Sequence, residues 1–365
     1  MDLDAVFQEA LDGFPQRLVD EYGAERLEAL GEELTVIIRN AVMQASEQSA
    51  KGVARRLRED GPAMLRARRR DQLRFERALA ERWGRAFDLA EMAIVVAYEA
   101  GEAFNLKHQH KAGDEYDLVF AALVRLHARG CRIANEALAL LKSGYGQAAL
   151  ARWRVLHEVA VVAVFISTHG QRTAERYFDH GGVETWRAMQ EYQQHAARLR
   201  YEPYTEDEVQ AAQAAFELLC TQYGKAFAGP YGWAQEALAT ENPSVVKKWV
   251  TISAIEASVG LSHLRPHYRM ASYGTHANPK GVTFTPDVLP GRPVLLAGPG
   301  VAGLADAGRC SLISLMQVTT TLLTYKVGPS APIILGALLG LTDDAGAAYL
   351  EAHRAVAQGP ENASD

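Results

Sequence analysis

The most informative stretch of this sequence runs from residue 145 to residue 166 and reads Tyr145-Gly-Gln-Ala-Ala-Leu-Ala-Arg152-Trp-Arg154-Val-Leu-His157-Glu158-Val-Ala-Val-Val-Ala-Val-Phe-Ile166. The last eight residues of this stretch, Val159 to Ile166, are the longest purely apolar run in the chain, which is typical of a buried element. Arg154 and Glu158 stand four residues apart, so on a helix they are neighbours on one face. Because an unpaired charge in a buried position is strongly destabilising, we expect these two side chains to pair. The pair has two interpretations, an internal contact that fixes the register of the helix or the floor of a polar pocket.

The same helical spacing of apolar residues recurs along the chain, and alternation with a period of two is nearly absent. We therefore predict an all-α fold, a multi-helix bundle. Breakers such as Gly61-Pro62, Gly113 and Gly170 separate the helices, and Thr205 to Glu208 has the pattern of a capping box. Asn242-Pro243 places a capping residue before a proline at a helix start. The predicted helices span residues 15–50, 63–104, 114–142, 146–168, 171–199, 205–226, 243–259, 262–276, 301–326 and 343–357.

The segment from Pro279 to Gly300 is rich in proline and glycine and is predicted to be a long loop or a small hairpin, with strands at 282–285 and 294–297. Directly after it, residues 298–303 match the spacing of a dinucleotide-binding fingerprint. That fold needs an acidic residue about 20 positions further on, and the segment from Gln317 to Lys326 contains none. We therefore predict no nucleotide cofactor.

Composition places the chain among ordinary globular proteins, with 365 residues, 48% of them hydrophobic and 22% charged. Three scattered cysteines are too few for a disulfide framework or a four-thiolate zinc site, which favours a reducing, cytoplasmic location. His108 and His110 stand two residues apart, so on a helix they cannot share an ion. We predict no metal and no cofactor. An acidic N-terminus and short apolar runs predict neither export nor membrane insertion.

Charge is unevenly distributed along the first quarter of the chain. Residues 1–50 hold eleven acidic residues against three arginines, whereas residues 51–85 hold twelve basic residues against five acidic ones. One interpretation is a pair of antiparallel helices with complementary charge; the other is a surface that binds phosphates. We predict a charged helical arm over residues 1–112, a main bundle over 113–358 and a flexible tail over 359–365. The candidate nucleic-acid contacts are Arg66, Arg68, Arg69 and Arg70.

A second polar group lies within residues 266–279, Pro266-His-Tyr268-Arg269-Met-Ala-Ser272-Tyr-Gly-Thr-His276-Ala-Asn278-Pro279. Tyr268, Ser272 and His276 follow one another at four-residue spacing and form a polar stripe on a helix. Arg269 precedes His276 by two helical turns and falls near the same face. Polar stripes on core helices need partners, and Arg154 and Glu158 are the candidates.

These two stretches together resemble an uncharacterised bacterial family, domain of unknown function 5677, over roughly residues 115–325. That family is similar in pattern to the HEPN helical domains, whose nucleases carry an arginine four to six residues before a histidine. Arg269 and His276 have six intervening residues, and Arg152 and His157 have four. Met270 and Trp153 stand where HEPN nucleases usually carry a small polar residue. The resemblance implies a HEPN-like core, a homodimer with the site at its interface, RNA as a partner, and a role in toxin or phage-defence biology.

The preferred hypothesis is metal-independent RNA cleavage. His276 is the predicted general acid or base, and Arg269 stabilises charge on the phosphate. The alternative is a non-catalytic module that binds a ligand or a protein, in which the polar residues form a structural network. A nuclease requires His276 and Arg269 to be accessible in a cleft and close to each other or to their dimer mates; a network requires them to be buried and mutually satisfied. The further candidates are Ser272 and Tyr268 as orienting groups, and Arg154, Glu158, Arg152, His157 and Asn278 as supporting residues.

Overall fold

The computed structural model of the chain describes residues 8, 12–23, 26, 31–241, 249–276, 279–283 and 297–358. Within these residues every regular element is a helix, as the apolar periodicity predicts. Three single 3-10 turns, Lys225–Ala228, Gly232–Ala234 and Ser262–Leu264, join some of the helices. The α-helices are α1 (Phe14–Tyr22), α2 (Gly31–Asp114), α3 (Leu118–Lys142), α4 (Gly146–Leu199), α5 (Glu206–Tyr223), α6 (Gln235–Glu241), α7 (Ile252–Ser258), α8 (Arg265–Thr275), α9 (Pro279–Thr283), α10 (Leu304–Tyr325) and α11 (Ala331–Ala357).

The contacts divide the chain into two units, Met1–Phe75 and Glu76–Asp365, and the boundary falls inside α2. In the described part of the first unit Ala45 alone is buried. The four candidate nucleic-acid contacts Arg66, Arg68, Arg69 and Arg70 lie here and are exposed. The division near residue 112 that charge and apolarity suggest stays a prediction.

The core of the second unit is formed by α3, α4 and α10, which pack against one another, with α11 against α10. The apolar stretch on which the fold prediction rests is the centre of this core. Trp153, Leu156, Phe165 and Ile166 of α4 are completely buried, and the indole of Trp153 donates a hydrogen bond to the hydroxyl of Ser314 at 3.0 Å. The first half of α4 therefore has a fixed register relative to α10.

Several helix ends agree with the breakers in the sequence. Gly170 takes a left-handed conformation (φ 74°) and kinks α4, which divides it where two helices were predicted. Thr205 accepts the backbone N–H of Glu208 at 3.3 Å, and the Glu208 carboxylate accepts the N–H of Thr205 at 2.8 Å, so the predicted capping box is present. Gly303, the last residue of the fingerprint-like segment, caps α10 in a left-handed conformation.

Other boundaries were predicted wrongly. Helix α2 continues through Gly61-Pro62 because this surface is solvent-exposed, and water can bond the carbonyl that the proline leaves without a donor. Helix α11 begins twelve residues before the predicted start of 343, because Pro332 stands in its first turn, where a missing N–H costs nothing. The predicted strand at 282–285 is wrong for its first two residues, because Pro279 starts a short helix that includes Val282 and Thr283.

The predicted helix at 243–259 is shorter in the structure. Residues 249–251 are not helical and α7 covers only Ile252–Ser258, where the hydroxyl of Thr251 caps the helix. The Asn242-Pro243 cap, residues 284–296 and the predicted tail 359–365 lie outside the described residues. Among the residues that the structure describes, one helix is long and apolar enough by composition to cross a membrane, over Ala331–Val356, and 22% of its most apolar window is buried.

Candidate functional site

The two polar stretches of the sequence meet in the second unit, where α8 packs against the first half of α4. Pro266 in the first turn of α8 fixes the start of that helix. Tyr268, two residues further on, points back to α4 and is 6% exposed. Its hydroxyl donates a hydrogen bond to Oε1 of Glu158. This hydrogen bond joins α8 to α4 through two residues that are 110 positions apart in the sequence.

The Tyr268 hydroxyl remains protonated at neutral pH. Burial, and then the hydrogen bond to the Glu158 carboxylate, raise the pKa of Tyr268 to about 12, although the nearby Arg154 opposes the shift. Tyr268 is therefore a permanent donor toward Glu158. Because Glu158 sits in the same helix as Arg154, this contact fixes the position of both charged residues relative to α8.

Arg154 lies at the centre of the cluster. Its guanidinium carbon is 4.7 Å from the centre of the Tyr268 ring, and its Nε is 3.5 Å from Oε1 of Glu158, an ion pair without a hydrogen bond from Nε. Burial works against the charge of Arg154, but Tyr268 and Glu158 outweigh it and raise the pKa of this guanidinium above its ordinary value. Arg154 is thus a fixed cation with 23% of its side chain exposed.

His276 brings the cluster to the surface. It follows the last residue of α8, its backbone N–H donates to the carbonyl of Ser272 at 3.1 Å, and its side chain is exposed. Nε2 of the imidazole is 3.5 Å from Nη1 of Arg154. Because a guanidinium can only donate, this contact places the lone pair of Nε2 toward Arg154. An accessible imidazole therefore stands beside a half-buried, permanent positive charge.

Ser272 and Arg269 do not join this contact. The hydroxyl of Ser272 donates to the carbonyl of Tyr268 at 2.9 Å, the usual bond of a serine inside a helix, and so does not orient His276. Arg269 is exposed and makes no hydrogen bond or ion pair with any residue that the structure describes. Asn278 lies outside the described residues.

The second arginine–histidine pair of the sequence is separated in the structure. Arg152 makes an ion pair with Glu136 of α3, whereas His157 is directed into the core, with its Nε2 2.9 Å from Oε1 of Glu256. Both His157 and Glu256 are 1% exposed. Burial lowers the pKa of His157 although the carboxylate of Glu256 opposes this shift, so the histidine is neutral and donates from Nε2.

Two residues of this region were not found from the sequence, Glu256 and Arg265. Arg265 donates to Oε2 of Glu256 at 2.5 Å, and its guanidinium carbon is 5.0 Å from the centre of the Tyr268 ring. The ring of Tyr268 therefore contacts two guanidinium groups, one on α4 and one on α8. Of these two residues, only Arg265 could have been identified from the sequence, because it stands directly before Pro266 and close to Tyr268. Nothing in the sequence around Glu256 indicates its contacts.

The polar cluster is built from arginine, histidine, tyrosine and glutamate. Where the structure describes the chain, no group of three or more His, Cys, Asp or Glu side chains is placed to hold a metal ion. The three cysteines are free, and burial raises the pKa of Cys131 and Cys310 to about 12, so neither is a reactive thiolate. Proton transfer at His276 and charge stabilisation at Arg154 are the chemistry that these side chains offer.

The fold and this cluster define an all-α protein with a half-buried Arg–Glu–Tyr contact that reaches the surface at a histidine. Residues 120–285 match the model of a family of unknown function (DUF5677). The match contains both halves of the cluster, and it confirms the resemblance to this family that the sequence shows. Searches of curated proteins and of solved structures found no match.

Proposed function

We propose that this protein is a metal-independent endoribonuclease whose active site contains His276 and Arg154. The observation that carries the proposal is the contact of 3.5 Å between Nε2 of an exposed imidazole and Nη1 of a guanidinium that Glu158 and Tyr268 hold in place. In a purely structural network we expect the histidine to be buried and paired, whereas His276 is exposed. An acid–base group next to a fixed cation is what phosphodiester cleavage requires.

In the proposed reaction, a ribose 2′ hydroxyl replaces Nη1 of Arg154 at the lone pair of Nε2 of His276, and Nε2 takes the proton from this hydroxyl. The 2′ oxygen attacks the adjacent phosphorus, the bond from phosphorus to the 5′ oxygen breaks, and the 5′ oxygen takes a proton from solvent. The products are a 2′,3′-cyclic phosphate and a free 5′ hydroxyl. Arg154 stabilises the negative charge that develops on the phosphate oxygens, and the exposed Arg269 binds a neighbouring phosphate. This assigns to Arg154 the role that the sequence analysis gave to Arg269.

The broader parts of the proposal rest on the resemblance to HEPN domains. They are a HEPN-like core, a homodimer, and a role in toxin or phage-defence biology. The proposed cytoplasmic location without membrane insertion rests instead on the scattered cysteines, the acidic N-terminus and the short apolar runs. The exposed arginines at positions 66, 68, 69 and 70 are proposed to add sequence-independent affinity for RNA. Each of these arginines is expected to contribute to the salt dependence of binding and not to cleavage itself.

A second candidate function is a non-catalytic module for a ligand or a protein. The observation that favours it is the mutual satisfaction of Tyr268, Glu158 and Arg154, which gives these three side chains a structural role whether or not cleavage occurs. The two functions differ in what they require of His276. Cleavage needs its imidazole, whereas a structural network tolerates its loss because the side chain is exposed.

The test is incubation of the purified protein with total RNA and with a synthetic tRNA in the presence of EDTA. We expect wild-type protein to cleave, and His276→Ala to lower the rate by about 100-fold or more, the usual contribution of a general acid or base. The matched control is His195→Ala, since His195 is also exposed and lies on α4 far along the chain from the cluster. Unchanged circular dichroism and unchanged thermal unfolding of both variants exclude misfolding as the cause.

Arg154→Lys and Tyr268→Phe separate chemistry from structure. Arg154→Lys keeps a positive charge but loses the planar fork, so we expect cleavage to fall with little change in unfolding temperature. Tyr268→Phe removes the bond to Glu158, so we expect a lower stability and a smaller effect on the rate. Wild-type protein that does not cleave, or a His276→Ala variant that cleaves as well as wild type, refutes the nuclease.

A further inference from the structure

A cavity of about 640 Å³ opens beside the polar cluster, on the other side of Glu158. Its floor is aliphatic and comes from the facing surfaces of α3 and α4, with Leu126 on α3 and Val155, Val159 and Val162 on α4. The size lies within the range of about 300–1,000 Å³ that is usual for small-molecule sites. Because Glu158 both lines the cavity and accepts the Tyr268 hydroxyl, the two sites share a carboxylate.

The walls of this cavity are aromatic. Tyr177 and Phe178 follow the kink of α4, Trp233 lies in a 3-10 turn, and Tyr231 precedes that turn. The ring centres of Tyr177 and Trp233 are 5.1 Å apart and their ring planes form an angle of 82°, so these two walls are nearly perpendicular. Four aromatic side chains around one space are suited to a planar ring, because bases stack on aromatic side chains in proteins that bind single-stranded RNA.

Two arginines of α3 stand at one side of the cavity. Arg125 and Arg129 are one turn apart and both are exposed. The guanidinium carbon of Arg125 is 5.7 Å from the centre of the Phe178 ring, while the side chain of Arg129 makes no hydrogen bond or ion pair with any described residue. Arg129 is therefore available to a ligand, and a phosphate is the group that its fork of donors fits best.

Two acceptors face each other at another side of the cavity. His180 is 4% exposed, and its Nε2 donates to the carbonyl of Gly229 at 2.9 Å, so Nδ1 carries the lone pair when the ring is neutral. This Nδ1 is 3.6 Å from Oε1 of Glu184, which also lines the cavity. Burial lowers the pKa of His180, which favours the neutral ring despite the nearby carboxylate. Nη1 of Arg187 is 3.9 Å from the same Oε1, an ion pair that is too long for a hydrogen bond. Among the described residues no donor therefore hydrogen-bonds to both acceptors, and an amino group of a ligand would supply one.

We infer that this cavity binds one nucleotide of the RNA, with its base between the aromatic walls, an exocyclic amino group at His180 and Glu184, and a phosphate at Arg129. The role in selecting the RNA sequence rests on the proposed function. Adenine, cytosine and guanine carry an exocyclic amino group and uracil does not. The donor of uracil is its ring N3–H, and the two carbonyl oxygens on either side of it would be repelled by the acceptors Nδ1 of His180 and Oε1 of Glu184. The cavity therefore prefers any of the first three bases over uracil.

The experiment is calorimetric titration of the His276→Ala protein with AMP, CMP, GMP and UMP in EDTA, which needs no cleavage. We expect saturable binding of at least one of the first three nucleotides, and binding of UMP that is about tenfold weaker, as expected for one unmet hydrogen bond to a charged group. Arg129→Gln should weaken all binding about tenfold. The matched control is Arg132→Gln, because Arg132 is exposed on the same helix but pairs with Glu136 outside the cavity.

Glu184→Gln tests the selection of the base. A glutamine amide can itself donate to Nδ1 of His180, so the pair no longer needs a donor from the ligand, and we expect the preference over UMP to disappear. The inference is overturned if no nucleotide binds saturably, if UMP binds as well as the others, or if Arg129→Gln and Arg132→Gln behave alike. Cleavage that depends on His276 while nucleotides fail to bind removes only this inference. Nucleotide binding without such cleavage removes the nuclease.

Discussion

The stability of the second unit should fall as the pH is lowered because of His127. This residue of α3 is 3% exposed, and its Nε2 is 3.1 Å from Oγ1 of Thr319 on α10. The Thr319 hydroxyl donates to the carbonyl of Leu315 at 2.8 Å, so it can only accept from the histidine. A Cβ placed on Gly101 would lie 2.3 Å from the imidazole, which shows how closely α2 covers the ring. No described carboxylate pairs with it, and burial alone lowers its pKa to about 4.

The sign and the size of the effect follow from this pKa. The unfolded chain binds a proton at His127 near pH 6.5, whereas the folded chain does so only near pH 4. Between these values the unfolded state binds more protons, so stability is complete above pH 6.5 and is lost as the pH falls. Relative to neutral pH, the loss in the free energy of unfolding is about 2 kcal/mol at pH 5 and about 3 kcal/mol at pH 4.

The measurement is urea-induced unfolding, followed by circular dichroism at pH 7.5, 6.5, 5.5 and 5.0, of wild type and of His127→Leu. Leucine cannot titrate, and Thr319 keeps its bond to Leu315. Burial also lowers the pKa of His157 and His180, and their contributions are present in both proteins. We expect the drop between pH 7.5 and 5.0 to be about 2 kcal/mol smaller in the variant. Equal drops in the two proteins would show that the buried ring of His127 is not the cause.

Three further predictions concern packing and capping. A Cβ on Gly308 would lie 2.3 Å from the ring of Tyr349, so Gly308→Ala should lower the free energy of unfolding by about 1–3 kcal/mol. Gly336 has open space around it, so Gly336→Ala should raise the free energy of unfolding by about 0.5–1 kcal/mol. Urea unfolding that gives the two variants the same stability would contradict this prediction. The buried hydroxyl of Tyr349 has no hydrogen-bond partner among the described residues, so Tyr349→Phe should raise the unfolding free energy by about 1 kcal/mol. A clear loss of stability would show that this hydroxyl does have a partner. Thr205→Ala should lower the free energy of unfolding by about 1 kcal/mol in the same assay. Adding Glu208→Ala to this variant should lower it little further, because the two residues form one capping box. A double variant whose loss equals the sum of the two single losses would contradict this.

The helical class of the fold can be predicted from the sequence because one physical signal, the spacing of apolar residues, is repeated in nearly every segment. The helix boundaries are harder to predict, because glycine and proline occur both at the ends of helices and inside them. Gly170 breaks α4 because it takes a left-handed conformation, whereas Pro62 lies inside α2 on an exposed surface where its cost is small. The sequence alone does not distinguish a proline that ends a helix from one in its first turn, such as Pro332.

The candidate site was predictable to the extent that its contacts follow helical spacing. Arg154 and Glu158 are neighbours on α4, and the need of charged residues for partners brought Tyr268 and His276 to them. Spacing within one helix says nothing about which face meets which neighbour. Arg152 therefore belongs to a contact with Glu136 of α3 and not to the site. The carboxylate of Glu256 was missed for the same reason.

Glu158 unites the structural and the functional aspects of this region. Its Oε1 accepts the hydroxyl of a buried tyrosine and pairs with Arg154, while the same side chain forms part of the wall of the cavity. Replacing it therefore affects three things at once, the docking of α8, the position of the cation beside His276, and the cavity. These three effects can be separated only by substituting residues that take part in one of the three features and not in the others. His276 belongs only to the exposed end of the cluster, Arg129 belongs only to the cavity, and Trp153 belongs only to the core. Activity that depends on the first two, in proteins whose stability is unchanged, is what distinguishes a working site from a network that merely holds two helices together.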